Sequence, residues 1–165
     1  MNTVIREVAE SEAAAASKLV RVSFTALAAN DWEPQAQATF LEEASPEQMQ
    51  RKLSLAACAL GAYVKGNLVG LLLMPRPAVL EMLFVHPEHL RHGLAKSLWE
   101  RARTEIEASF PAVKTVELNS TPYALRFYQT IGFAPISSEF VVGGCRATRM
   151  ACWLPARGLK AENAP

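Results

Sequence analysis

The sequence is poor in the features that mark exported, disulfide-stabilised or membrane-inserted proteins. It has only three cysteines, Cys58, Cys145 and Cys152, an odd number without a CxxC pair or a regular spacing. That pattern argues against a disulfide framework and predicts buried thiols in a reducing compartment. The longest apolar run, at residues 68–75, has the length of a strand, and the N-terminal residues lack the apolar core of a signal peptide. We therefore expect a cytoplasmic protein.

An excess of charge of either sign is also absent. The formal net charge is +1, and basic and acidic residues are scattered along the chain. This balance gives no electrostatic basis for binding nucleic acid or an anionic membrane surface, so we expect neither partner. With 165 residues, 50% of them apolar and 20% charged, the chain has the size and composition of one globular domain. We place this domain at residues 1–154 and a flexible C-terminal tail at residues 155–165.

Apolar periodicity and turn residues predict the element order β-α-α-β-β-β-α-β-α-β-β. A nearly continuous apolar run at 79–85 predicts a central strand, which a helix at 93–110 connects to a strand at 113–118. This β-α-β crossover is right-handed by the general rule, and the fold class is a mixed α/β sheet. The other predicted strands are 3–8, 58–64, 68–74, 137–142 and 145–153; the other predicted helices are 10–29, one from Pro34, a short one from Ser45-Pro46, and 121–131.

The stretch HPEHLRHGLA, residues 86–95, contains all three histidines of the chain, His86, His89 and His92. Their spacing along a helix would permit a metal site. However, Pro87 places His86 at a strand end, no carboxylate or cysteine lies at ligand spacing, and Arg91 would repel a cation. We therefore expect no metal, and the simplest interpretation of the three side chains is that they face solvent from a loop.

The same stretch is typical of an anion-binding turn. A strand leads into a loop and then into the first turn of a long helix, Gly93-Leu94-Ala95. The first amides of a helix have no partner within the helix and carry a partial positive charge, which favours phosphate. Gly93 and Ala95 permit a diphosphate to approach the backbone closely, and Arg91 and His92 add positive charge. Taken alone, this pattern is common at strand–loop–helix turns.

A second stretch, NSTPYALRFYQTIGF at residues 119–133, makes the interpretation more specific. Together with LFVHPEHLRHGLAKSLW at residues 83–99, it resembles the GNAT superfamily of acetyl-CoA-dependent N-acetyltransferases. That family's pattern is V-x-P-x-x-Q/R-x-x-G-x-G/A, followed by N-x-x-x-x-A-x-x-F-Y-x-x-x-G-F. The resemblance implies the GNAT fold, in which two central parallel strands splay apart. The matching residues are Val85, Pro87, Gly93 and Ala95 in the first half and Asn119, Ala124, Phe127, Tyr128, Gly132 and Phe133 in the second.

The resemblance also implies acetyl-CoA as co-substrate, no metal, and direct transfer of the acetyl group to a primary amine of a small molecule. Leu90 stands where the family has Gln or Arg, so an acyl-CoA-binding sensor without transfer activity is an alternative. A transferase acting on a protein amine is a second alternative. The implied CoA-binding residues are Phe84, Val85, Leu90, Arg91, His92, Gly93, Leu94, Ala95, Lys96, Asn119, Ala124, Phe127 and Tyr128.

The resemblance suggests one catalytic residue and leaves another open. Tyr128 matches the tyrosine that in many family members protonates the departing CoA thiolate; the alternative is a packing aromatic whose hydroxyl is already hydrogen-bonded. No general base can be carried over from the motif. Glu81 and Glu117 lie in apolar central strands, where a buried carboxylate is costly unless it is paired or used, so both are candidates. Their alternative role is an ion pair with a residue such as Arg76 or Lys114.

We expect the acceptor site between two segments that are distant in sequence. These are the loop NDWEP at residues 30–34 and the final hairpin at residues 139–149. Trp32 and Arg146 are the candidate substrate-binding residues, although Trp32 could instead be a packing residue and Arg146 a solvated strand charge. The apolar strand of the same hairpin is a candidate surface for a homodimer.

Overall fold

A computed structural model describes residues 2–155 of the chain. The predicted tail, apart from Pro155, lies outside the described residues. The strands are β1 Thr3–Glu7, β2 Cys58–Val64, β3 Asn67–Met74, β4 Met82–Val85, β5 Thr115–Ser120, β6 Ala134–Pro135, β7 Phe140–Val142 and β8 Cys145–Trp153. The α-helices are α1 Ala13–Leu27, α2 Pro34–Glu43, α3 Pro46–Leu55, α4 Leu94–Ser109 and α5 Leu125–Thr130.

The strands form two antiparallel sheets that meet at one point. The first has the order β1-β2-β3-β4 and the second β5-β8-β6, with β7 also paired to β8. Just before β4, Val79 forms a parallel bridge with Glu117 of β5, and the Leu80 N–H donates to the Glu117 carbonyl at 3.0 Å. Past this bridge no ladder joins β4 to β5 within residues 2–155. The predicted mixed fold with a splayed central pair is confirmed, and we call the resulting opening the cleft.

Helices cover both faces of the first sheet. Leu19 of α1 and Met49 of α3 belong to the core on one face, and Leu98 and Trp99 of α4 belong to the core on the other. Strands β2 and β3 are almost wholly buried between them. Each large apolar side chain buried in this way contributes about 1.5–3 kcal/mol. No helix of the described residues combines the length and apolarity needed to cross a bilayer.

A glycine sets how closely α4 approaches the sheet. A Cβ at Gly70 of β3 would lie 3.1 Å from Leu98 Cδ1 and 3.2 Å from the Ala62 Cβ. A larger residue at this position would require Leu98 or Ala62 to shift. Gly70 therefore allows the first turns of α4 to pack closely on β3.

The structure corrects several predicted elements. The predicted order counts one helix too few before β2, although the separate helices predicted from Pro34 and from Ser45-Pro46 both exist as α2 and α3. Helix α3 begins at Pro46 as predicted, with Ser45 Oγ accepting from the Gln48 N–H at 3.3 Å. The central strand is shorter than predicted, since its first residues are held only by isolated bridges. Helix α5 starts late, because a turn at Thr121 precedes it. Strand β7 also begins three residues later than predicted. The two-residue strand β6 was not predicted, because it contains a proline and has no alternation.

Candidate active site in the cleft

The loop before α4 presents a row of unpaired backbone amides. Gly93 is the N-cap with φ +74°, and no side chain caps the helix. The first helical bond is from the Ser97 N–H to the Gly93 carbonyl at 2.9 Å. Among the described residues, none of the six backbone N–H groups from Arg91 to Lys96 donates to a protein acceptor. This N-terminal amide run, at the positive end of a sixteen-residue helix, is suited to an anion.

The side chains of this loop leave the amide run open. Gly93 is exposed, and a Cβ there would meet no atom within 4 Å. Arg91 and Lys96 are exposed and basic. Leu90, at the position where the sequence pattern has Gln or Arg, is partly buried against the core that contains Leu98. Its side chain therefore helps to anchor the loop to the core.

The histidines have separate roles in this loop. His86 Nδ1 accepts from the Glu88 N–H at 3.3 Å and thereby caps the short turn that follows β4. His92 Nδ1 lies 3.3 Å from the His89 carbonyl. No group of three metal-ligating side chains occurs among residues 2–155.

Strand β4 directs backbone groups into the cleft. The His86 N–H donates to the Val69 carbonyl at 2.8 Å, and Phe84 lies opposite Leu71 in the antiparallel register. Hydrogen-bonded and non-hydrogen-bonded residue pairs alternate along an antiparallel ladder. The backbone N–H and C=O of Phe84 therefore bond to Leu71, whereas those of Leu83 and Val85 point away from β3. Val85 thus offers backbone groups to the cleft, and Phe84 contributes its ring, 6.0 Å from that of Phe40. Leu83 was missed by sequence reasoning, although it lies two residues before Val85 on the same edge.

The facing wall of the cleft carries the residues of the second motif. Asn119 is exposed on β5, and its side chain has no hydrogen bond within the described part of the chain. Ala124 is the N-cap of α5, and Phe127 is half-buried on this helix. The structure therefore places the second motif opposite β4, across the open end of the cleft.

Tyr128 lies on α5 with its ring in the core and its hydroxyl unpaired. The ring packs edge-to-face on Phe133 at 5.6 Å and lies 5.4 Å from Phe127. No hydrogen bond to its hydroxyl is found among residues 2–155, unlike the alternative of a packing tyrosine that is already bonded. Burial raises the pKa of the phenol above its ordinary value. Tyr128 is therefore protonated at neutral pH and free to donate.

The two candidate carboxylates are both ion-paired and less buried than the sequence suggests. Glu81 lies 2.5 Å from Lys52 Nζ, and Glu117 accepts from Arg149 Nε at 2.9 Å. Each glutamate side chain is 34% exposed. The expected ion pairs thus exist, but the suggested partners were wrong: Lys114, for example, donates to the Pro111 carbonyl. Long-range packing of α3 and β8 supplies the actual partners.

The loop at residues 30–34 meets the final hairpin, as expected for the acceptor site. Trp32 forms a bridge with Cys145, and the Glu33 N–H donates to the Gly144 carbonyl at 2.8 Å. A groove of about 470 Å³ lies between this loop, α2 and the turn of the hairpin, and Trp32 lines it. Arg146 does not line the groove. Its guanidinium is paired with Glu139 at 3.0 Å.

Comparison with known proteins gives one family and one fold. No curated protein sequence matches the chain significantly, but residues 28–154 match the model of the acetyltransferase (GNAT) domain. Similar solved structures include a GCN5-related N-acetyltransferase from Rhodopseudomonas palustris, with a TM-score of 0.81, 19% identity, and coverage of 93% of this chain and 97% of the other. PaiA N-acetyltransferase from Thermoplasma acidophilum, in complex with coenzyme A, has a TM-score of 0.79 and 19% identity, with coverage of 93% of this chain and 100% of the other. An aminoglycoside 6'-N-acetyltransferase complexed with coenzyme A has a TM-score of 0.68 and 13% identity, with coverage of 92% of this chain and 98% of the other. Because the family model spans most of the sequence, the chain belongs to the GNAT acetyltransferase domain family.

Proposed function

We propose that the protein transfers an acetyl group from acetyl-CoA to a primary amine of a small molecule by direct attack. The observation that carries this proposal is the N-terminal amide run, which opens beside the cleft. Six unpaired N–H groups and the open space over Gly93 fit a diphosphate. Two structures of the same fold are complexes with coenzyme A, which supports the same ligand here.

The cleft extends this fit beyond the diphosphate. The backbone groups of Leu83 and Val85 on one wall and the amide of Asn119 on the other are suited to hold the pantetheine arm. In this arrangement the thioester lies near the centre of the cleft. When bound, acetyl-CoA supplies an activated acyl group on a good leaving thiolate.

The chemistry requires three tasks from the protein, two of which are proton transfers. An alkyl ammonium has a pKa near 10, so it must lose a proton before its nitrogen can attack. Glu81 and Glu117 remain the candidates for this base, acting directly or through water. As the N–C bond forms, a backbone N–H of β4 stabilises the oxyanion, and as the C–S bond breaks, Tyr128 gives its proton to sulfur. One proton is released to solvent in the net reaction.

An acyl-CoA sensor without transfer activity is the rival function, and Leu90 is the feature that favours it. The Tyr128 hydroxyl favours transfer, because it lies at the family's thiolate-protonating position and no hydrogen bond within residues 2–155 occupies it. A protein amine as acceptor has no specific support in the groove. We further propose a cytoplasmic location, which three free cysteines support.

A homodimer through the final hairpin stays a prediction. Val141 and Val142 on β7 are 67% and 52% exposed, which supports an apolar contact at this edge. Light scattering of the purified chain would distinguish a dimer from a monomer. The expected change on Val141→Lys is a shift to monomer.

Transfer is tested by mixing the purified protein with acetyl-CoA and a panel of primary amines. Free thiol is followed with a chromogenic disulfide, and the amine is followed by the mass increase of one acetyl group. The proposal predicts thiol release that depends on the amine and matches the acetylated product. Coenzyme A binding without any transfer would support the sensor instead.

A further inference from the structure

The charges of the chain are balanced over its whole length, but one segment beside the expected acceptor site carries only negative charges. Residues 22–50 contain five carboxylates, Asp31, Glu33, Glu42, Glu43 and Glu47, and no Lys, Arg or His. The segment includes the 30–34 loop and the whole of α2. A local excess of one sign attracts a ligand of the other sign even when the net charge is near zero.

Two of these carboxylates line the groove beside α2. Glu33 and Glu43 are its acidic residues, and no basic side chain lines it. Both are exposed, and neither forms a salt bridge within residues 2–155. We call this feature the acidic groove. Its carboxylates are available for a cation from solution.

The acidic groove also has aromatic walls and a fixed floor. The rings of Trp32 and Phe40 lie 5.3 Å apart in an edge-to-face arrangement, and both residues line the groove. Both rings also pack on Phe24, so they form a rigid apolar wall. On the other side, a Cβ at Gly144 would lie 3.1 Å from Glu33 Oε2, so the glycine lets the hairpin close against this carboxylate.

The acidic groove lies one aromatic ring from the cleft. Phe40, which lines the groove, packs with its ring 6.0 Å from that of Phe84 on β4. The neighbouring residues Leu83 and Val85 direct their backbone groups into the cleft. The groove and the cleft are therefore neighbours, with these two packed rings between them.

The charge of the groove determines which part of a ligand it holds. Carboxylates stabilise an ammonium and so raise the pKa of a bound amine. An amine held there stays protonated and cannot attack a thioester, because the attacking nitrogen must be neutral. The reacting amine therefore lies in the cleft, and the groove holds a second cationic group of the same molecule.

We propose that the acceptor is a small aliphatic polyamine, with one amino group acetylated in the cleft and another held as an ammonium by Glu33 and Glu43. This inference rests on the proposed function and narrows its acceptor. The C–N bond forms at the uncharged terminal nitrogen, and the ammonium in the groove takes no part in the chemistry. The product is a monoacetylated polyamine.

A matched series of four-carbon amines tests the inference. Butylamine, aminobutanol, aminobutanoate and diaminobutane share one reacting end and differ at the other, which is apolar, hydroxyl, anionic or cationic; spermine extends the series. We expect kcat/KM for diaminobutane to exceed that for butylamine by at least about 5-fold, and aminobutanoate to be the poorest substrate. Added salt should reduce the preference, because the carboxylates are exposed.

Three variants locate the effect. Glu33→Gln and Glu43→Gln should each raise KM for diaminobutane by about 2- to 5-fold, and the double variant by about 4- to 20-fold. Glu42→Gln removes the same charge from the same helix outside the groove and should change KM by less than about 1.5-fold. An unchanged KM for acetyl-CoA in every variant shows that each one is folded.

The outcomes separate the two proposals. Transfer that proceeds equally well with butylamine, or a double variant that keeps the preference, overturns the polyamine inference and leaves acetyl transfer standing. Coenzyme A binding without transfer to any amine of the series also overturns it. Failure to bind coenzyme A at all overturns the proposed function itself.

Discussion

Replacing Tyr128 with phenylalanine should abolish most of the activity and leave stability unchanged. The substitution removes only the hydroxyl, which has no hydrogen bond among the described residues and whose pKa burial raises. Without this donor the thiolate would leave unprotonated inside the cleft, where desolvation disfavours it. General acid catalysis contributes about 10²- to 10⁴-fold, so kcat should fall by at least about 100-fold, or roughly 2.7 kcal/mol in the barrier.

The expected stability change follows from the same unpaired hydroxyl. A hydrogen-bonded hydroxyl contributes about 1 kcal/mol to folding, but Tyr128→Phe breaks no such bond within residues 2–155. The packing of its ring on Phe133 at 5.6 Å is kept. The free energy of unfolding should therefore change by less than about 0.5 kcal/mol.

Tyr63→Phe is the matched control. The Tyr63 hydroxyl donates to Glu12 Oε1 at 3.0 Å, and Arg6 lies 3.8 Å above the centre of its ring. Losing a hydrogen bond to a charged group costs about 1.5–3 kcal/mol, so this variant should be less stable. Tyr63 lies far from the cleft in the topology, on β2, so kcat should stay near the wild-type value.

Urea denaturation and steady-state kinetics on both variants complete the experiment. The mechanism predicts opposite outcomes. Tyr128→Phe should lose activity and keep its stability, whereas Tyr63→Phe should lose stability and keep its activity. If Tyr128→Phe keeps wild-type kcat, Tyr128 is a packing residue and another group protonates the thiolate.

Three further predictions concern the ion pairs and the final hairpin. Hydrogen bonds from Arg6 lower the pKa of Glu12 from 4.5 to about 2; its stabilisation is therefore complete above 4.5 and lost as the pH falls toward 2, and Glu12→Gln should flatten acid unfolding curves in this range. Glu81→Gln or Glu117→Gln should lower kcat at neutral pH if that carboxylate is the base, and full activity of both variants from about pH 6 to 9 would end the base hypothesis. Gly144→Ala should destabilise the hairpin and raise KM for the amine, because a Cβ there would lie 3.1 Å from the Ala36 Cβ; Gly143→Ala, with φ +55° but nothing within 4 Å, should cost only the backbone strain of about 1 kcal/mol. If Gly143→Ala and Gly144→Ala showed the same stability in denaturation and the same KM for the amine, this account would be contradicted.

Much of the fold could be predicted because local signals agree with the tertiary structure. The strands β2 and β8 have the predicted bounds, since each is an apolar or alternating run that a glycine turn limits. The bounds of helix α4 were predicted to within one residue at each end, because its apolar stripe is regular. The open turn at the start of α4 was predictable for the same reason: Gly93 and the helix start are adjacent in sequence.

The rest depends on which segments meet in space. The backbone of Phe84 is hydrogen-bonded to β3, whereas that of Leu83 faces the cleft. The alternation of side chains in the sequence does not show which way a backbone group points. The ion pair of Glu81 with Lys52 requires α3 to pack beside the start of β4. The acidic groove exists because the final hairpin closes on α2, a contact between residues more than one hundred positions apart.

The most direct test of the central claim is the binding of coenzyme A, compared with pantetheine, which lacks the diphosphate and the 3'-phosphoadenosine attached to it. Isothermal titration calorimetry should show coenzyme A binding at least about 100-fold more tightly than pantetheine, since several charge-assisted hydrogen bonds to the amide run are lost. Gly93→Ala should weaken coenzyme A binding by about tenfold. Gly66→Ala, at φ +80° in the β2–β3 turn and equally open, should lose similar stability and leave binding unchanged. Equal affinities for the two ligands, or equal binding by the two variants, would contradict a diphosphate site at the start of α4.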